Sequence, residues 1–121
     1  MSDSKVCAPL LDQLVETVEK GRGIRLDEVE IGKALIVETL NTVYTIHILN
    51  PQRGEITVSG GKFFSEPTFC ELSGSTLGSM LITLYVAFGF CLEFRQLSGG
   101  VITTTPVRSI SFSSSPNSIV H

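Results

Sequence analysis

A chain of 121 residues, 42% hydrophobic and 17% charged, is one domain long and can bury a core without a metal or a disulfide. Its charge fraction lies below the about one quarter usual in globular domains, so either the core is large or a partner covers apolar surface. The net charge of −3 excludes a polycation and argues against phosphate-driven nucleic-acid binding.

The acidity is uneven. Residues 1–30 carry seven acids against four bases, whereas residues 31–112 carry five of each. Cys7, Cys70 and Cys91 form an odd set without CxxC spacing, which fits free thiols in a reducing compartment better than a disulfide framework. The opening MSDSKVCAPLLDQLVE lacks the basic start and continuous apolar stretch of a secretory signal. No segment reaches the ~20 apolar residues that a membrane helix requires. A soluble, cytoplasmic protein is expected.

Residues 9–20 show helical periodicity. Leu10, Leu11, Leu14, Val15 and Val18 make one apolar stripe, with Asp12, Gln13, Glu16 and Glu19 opposite. Pro9 suits the first turn and Gly21 the stop. An N-terminal amphipathic helix is therefore expected to dock on a β-domain, because a helix this short is marginal alone. Gly21–Gly23 reads as a hinge. Ile24, Leu26, Val29 and Ile31 follow in a short strand or an irregular lead-in.

From Lys33 the signal becomes β. KALIVET (33–39) and VYTIHIL (43–49) are rich in β-branched residues around the turn Leu40-Asn41-Thr42. Residues 50–54 (NPQRG) form a strong turn signal. EITVS (55–59) alternates and stops at Gly60-Gly61, and TFCELS (68–73) follows a loop carrying Pro67. Residues 74–79 form a Gly/Ser break.

The most apolar run, residues 80–94, reads as a hairpin turning at Ala87-Phe88-Gly89. Its first strand, 80–86, is apolar on nearly both faces, as expected of a strand covered on both sides. In its second strand, 90–95, Phe90, Leu92 and Phe94 share one face. The cover for Leu81 and Tyr85 is either the N-terminal helix or another subunit. Residues 101–104 and 107–112 follow, separated by Thr105-Pro106.

These elements predict an all-β barrel or sandwich of seven or eight antiparallel strands over residues 24–112. Residues 1–23 are the helix and hinge, and residues 113–121 are a disordered tail.

Sites of chemistry are sparse. His47, Cys70 and Cys91 lie on different predicted strands, without the paired spacing of zinc ligands, and His121 falls in the tail. Cys70 has no helix N-terminus or basic cluster to activate it toward His47. No G-x-S-x-G elbow occurs. Glu71 and Glu93 read as a surface ladder of charge, and Gly60-Gly61-Lys62 and Gly99-Gly100 as hairpin glycines rather than a phosphate cradle. No catalytic residue, metal or cofactor is expected. Lys33, Arg53, Lys62, Arg95 and Arg108, with Phe63 and Phe64, form a basic and aromatic set of the kind that holds single strands, balanced by as many acids.

The order of parts, a helix and then strands around VETLNTVY, resembles Sm-like and other SH3-like small barrels over about the first half. The second Sm signature, with its Arg-Gly pair for RNA, is missing, so that resemblance carries over no binding residue. GSTLGSM (74–80), CLEF (91–94) and TTPVRSI (104–110) are similar to short bacterial all-β proteins of unknown function. That resemblance implies a compact β-fold and a bacterial source, and it implies no activity.

The leading expectation is a non-catalytic interaction module that self-associates or binds a protein partner through spare apolar β-surface. Its contact residues are Phe63, Phe64, Leu77, Leu81, Tyr85 and Phe88. The alternative is a small-barrel nucleic-acid or nucleotide binder using Phe63, Phe64, Arg53, Lys62 and Arg95.

Overall fold

Alternation along the middle strands sets an inner face, and a computed structural model shows what that face encloses. It describes residues 15–17, 22–30 and 32–114. The strands are β1 (Val15–Thr17), β2 (Gly23–Arg25), β3 (Lys33–Thr39), β4 (Val43–Asn50), β5 (Glu55–Gly60), β6 (Phe64–Leu77), β7 (Met80–Thr83), β8 (Tyr85–Ala87), β9 (Cys91–Gln96) and β10 (Val101–Ser114). A 3-10 turn covers Leu26–Glu28.

Leu35, Ile46 and Val58 sit in register across β3, β4 and β5, and all three are fully buried. The turns between these strands fall where 40–42 and 50–54 predict them. The first is closed by Thr39, whose N–H donates to the Thr42 carbonyl (2.8 Å) while its Oγ1 accepts from the Thr42 N–H (3.2 Å).

The antiparallel pairings run β10–β3–β4–β5–β6–β9 and return to β10. The all-β expectation holds, and the ring makes a closed barrel rather than a two-sheet sandwich. Closure also removes sheet edges from these six strands. β6 and β10, each 14 residues long, make closure possible by changing partners along their length. β6 pairs β5 up to Glu71 and β7 from Gly74, with β9 on its other flank. β10 pairs β9 up to Pro106 and β3 from Val107.

Register shifts mark both changes, between Leu72 and Gly74 and between Thr103 and Pro106. Such bulges bend a strand and admit proline, which cannot donate to a ladder. The breaks expected at Pro67 and at 74–77 are therefore interior to β6. At Gly74 (φ 144°) an added Cβ would lie 2.1 Å from the Ile82 carbonyl oxygen, so no larger residue fits without movement.

Tyr44, Phe64 and Phe94 form the aromatic centre of the core, with ring centroids 5.4–6.3 Å apart. Leu26 and Val86, both fully buried, bring the short β2–β8 pair onto the same core.

Two expectations are corrected. The N-terminal helix is not seen: Val15–Thr17 pair with Ser113–Ser111 of β10. The same residues alternate as Val-Glu-Thr, and a sheet flank with free backbone groups supplies hydrogen bonds that stabilise a strand over a marginal helix. The rest of the predicted helix lies outside the described residues, as do Cys7, His121 and the tail beyond Ser114.

The hairpin within 80–94 is also not formed. The run divides at Leu84, the one non-glycine at positive φ (53°) among the described residues. Leu84 donates its N–H to the Ser73 carbonyl (3.0 Å) and accepts from the Leu26 N–H (3.1 Å). β7 stays on β6, β8 crosses to β2, and β9 enters the ring. A uniformly apolar run contains no alternation to reveal such a division. Its second half matches expectation, with Leu92 and Phe94 both inward and fully buried. No helix among the described residues is long and apolar enough to cross a membrane.

Candidate functional site

β7 is the terminal strand of the path that leaves the ring at β6. A two-residue turn, Gly78-Ser79, joins it to β6, and Gly78 at φ 61° supplies the conformation that such a turn needs at its first position. The residues flanking a two-residue turn exchange hydrogen bonds, and the pairs then alternate along the hairpin. Leu77↔Met80 and Ser75↔Ile82 are thus the bonded pairs. The N–H and C=O groups of Leu81 and Thr83 point away from β6, and no described strand lies beyond them. Beside this edge, Leu77 (52%), Met80 (53%) and Leu81 (43%) are exposed.

Two grooves adjoin the edge, about 530 Å³ and 580 Å³ in volume, and share Arg25, Ile82 and Tyr85. Pro51 and Gln52, from the β4–β5 turn, wall the first, and Phe88 and Phe90 wall the second. The Arg25 guanidinium donates to Asp27 (2.6 Å), and Arg25 N–H donates to the Glu28 carboxylate (2.9 Å). The Asp27 hydrogen bond, then its charge, raises the pKa of Arg25 above its usual value.

The groove wall is tied to the barrel by Ser75, which is fully buried on β6. Its hydroxyl donates to the Tyr85 carbonyl (2.7 Å) and accepts from the Ala87 N–H (2.9 Å). β8 therefore hangs on one side chain as well as on its pairing with β2.

Of the predicted contact residues, the structure gathers Leu77, Leu81, Tyr85 and Phe88 around β7 and its grooves. Phe64 does not belong to a surface: at 1% exposure it is part of the aromatic centre. Phe63 (60% exposed) belongs to the β5–β6 turn and points out, whereas Phe64, the first residue of β6, points in. Phe63 lines a separate cleft with Lys62, at the end of the barrel opposite the β4–β5 turn.

The basic set is likewise spread out. Arg53 pairs with Glu55 (3.3 Å), Lys33 with Glu30 (3.5 Å), and Arg95 stands in register with Glu71. Lys33 also lies 4.6 Å from the centre of the Phe112 ring. With Phe64 in the core, Phe63 is left without its expected stacking neighbour.

Sequence reasoning missed Met80 as a contact residue. It also missed Leu49, Phe69 and Leu97, three exposed apolar residues around a small cleft of about 170 Å³ over Cys70. Phe69 stands in an alternating strand, which is the signal that could have found it. Cys70 itself faces inward (2% exposed), while His47 on β4 is exposed on the outer face. Burial, and secondarily the Glu71 charge, push the Cys70 thiol up to about 11. No thiolate–imidazole pair is available there. Among the described residues no three His, Cys, Asp or Glu side chains group as metal ligands would.

In comparisons with known proteins, no family model, no curated protein and no solved structure matches the chain.

Proposed function

We propose that the protein is a non-catalytic interaction module that self-associates through the β7 edge and the apolar surface beside it. The observation that carries this is the combination of Leu81 and Thr83 backbone groups, which no described strand pairs, with the exposed side chains of Leu77, Met80 and Leu81. Ring closure protects the edges of six strands and leaves β7 outside the ring. Natural sheets usually blunt such edges with charge, proline or bulges. No described residue of β7 carries charge or is proline.

Solution mass by light scattering tests the reading, with a concentration-dependent dimer or higher species expected. Leu81→Lys places a charge on an exposed position of the edge, so the fold is retained and the equilibrium shifts toward monomer by about tenfold or more. A parent protein that remains monomeric at millimolar concentration overturns self-association. Equal association by the parent and the variant moves the contact away from β7.

A further inference from the structure

The cleft holding Phe63 is chemically unlike the β7 grooves, and we propose that it is a binding site for a small planar aromatic carboxylate. Three segments build it. Asn41 and Thr42 come from the β3–β4 turn, Lys62 and Phe63 from the β5–β6 turn, and Thr103–Thr105 from the part of β10 beside its register shift. The two turns meet because alternate antiparallel connections return to the same end of the ring. The volume, about 200 Å³, suits a single ring with its acid group rather than a drug-sized molecule.

Two hydroxyls at the cleft have no hydrogen-bond partner among the described residues. Tyr44 forms part of its wall, is only 6% exposed, and has no hydrogen-bond partner for its hydroxyl among the described residues. Thr105 Oγ1 is the one buried side-chain oxygen or nitrogen without a partner among those residues. A buried hydroxyl without a partner is destabilising, so most such groups are satisfied. Thr105 Oγ1 is the one such group beside the cleft, and the Tyr44 hydroxyl is open to solvent there. Thr104, between Thr103 and Thr105, is by contrast satisfied, accepting from Leu92 N–H (2.9 Å) and donating to the Thr105 carbonyl (2.7 Å).

Charge and shape select the ligand class. Among the described residues Lys62 is the cleft's only charged residue and forms no ion pair, and none of their carboxylates lines the space. Its ammonium, the Asn41 amide and the Tyr44 hydroxyl supply donors, which suits an acceptor-rich anion. Phe63 keeps its ring in solvent, where burial would be favourable, and gives a planar ring a face to stack on.

The probe is benzoate, followed by amide chemical shifts of the full chain. Saturable shifts are expected at residues 41–44, 61–63 and 103–105. Lys62→Gln should weaken binding about tenfold, because a charge-assisted contact is lost. Tyr44→Phe should weaken it severalfold while keeping the ring that packs on Phe64 and Phe94. Acetate, which has the charge without the ring, should bind about tenfold more weakly than benzoate. Leu81→Lys should bind benzoate as the parent does, so the outcome is independent of self-association. The proposal is overturned if no shift appears at these residues, if acetate equals benzoate, or if Lys62→Gln and Tyr44→Phe both bind unchanged.

Discussion

At the scale of single residues, neighbours in the chain have opposite fates. Phe63 and Phe64 are chemically identical, yet one is surface and the other core. Cys70 shows how the inner face changes chemistry. In the unfolded chain its thiol ionises near the ordinary 9.0, and in the fold it stays protonated up to about 11. The stability this contributes is whole below pH 9 and is lost as pH rises to about 11, because the unfolded state gives up its proton first. Urea denaturation across that window should show a loss on the order of 1–3 kcal/mol in the parent that is absent in Cys70→Ala. An equal loss in both would show that Cys70 is not its source. Gly74 is set by contact instead: an added methyl would meet a backbone carbonyl oxygen. Gly74→Ala should cost more than about 2 kcal/mol in thermal or chemical unfolding, well beyond the change at an exposed site.

At the scale of elements, the division at Leu84 creates the candidate surface. β8 is three residues long and, among the described strands, pairs only with the equally short β2, so Ser75 matters out of proportion to its size. Ser75→Ala leaves the Tyr85 carbonyl and the Ala87 N–H without that partner in a buried setting. A cost of about 1–3 kcal/mol is expected, with faster amide exchange at 85–87 than in β4 or β5. Unchanged exchange there would show that the β2 pairing suffices to hold the groove wall. Strands with alternation and strong turns, 33–39, 43–49 and 55–59, are legible to within a residue. β6 and β10 were legible only as pieces, because proline and Gly/Ser signals that usually end strands mark bulges here. The Thr105-Pro106 break falls where β10 changes partner, so the punctuation was real and its meaning differed. The candidate site was half legible: Leu77, Leu81, Tyr85 and Phe88 were named from apolar excess. Their gathering around an edge depends on Leu84, which carries no glycine or asparagine signal for positive φ.

At the scale of the molecule, closure depends on β9, which alone among the described strands bridges β6 and β10. Phe94 on β9 touches the aromatic centre through both Tyr44 and Phe64. Phe94→Ala should cost about 3–5 kcal/mol and lower the urea midpoint in a single transition, since a ring opened at one strand loses both pairings together. Loss confined to β9, with the other strands still protected, would mean that closure is not cooperative.

By itself the sequence determined the all-β class, the inner face of β3–β5 and the position of most turns, because alternation and turn chemistry are local. It also named a surplus of apolar residues that one small core would not use. Only the tertiary structure decided that the strands close into a ring, that 15–17 add a strand instead of a helical turn, and that 80–94 divides into three parts. Those choices depend on which distant strand has free hydrogen-bonding groups to offer, and nothing in a segment's own residues records that. The apolar surplus around residue 80 thus became an edge rather than a core, because β7 extends the β5 flank of β6 beyond β5 while β9 closes the ring on the other flank.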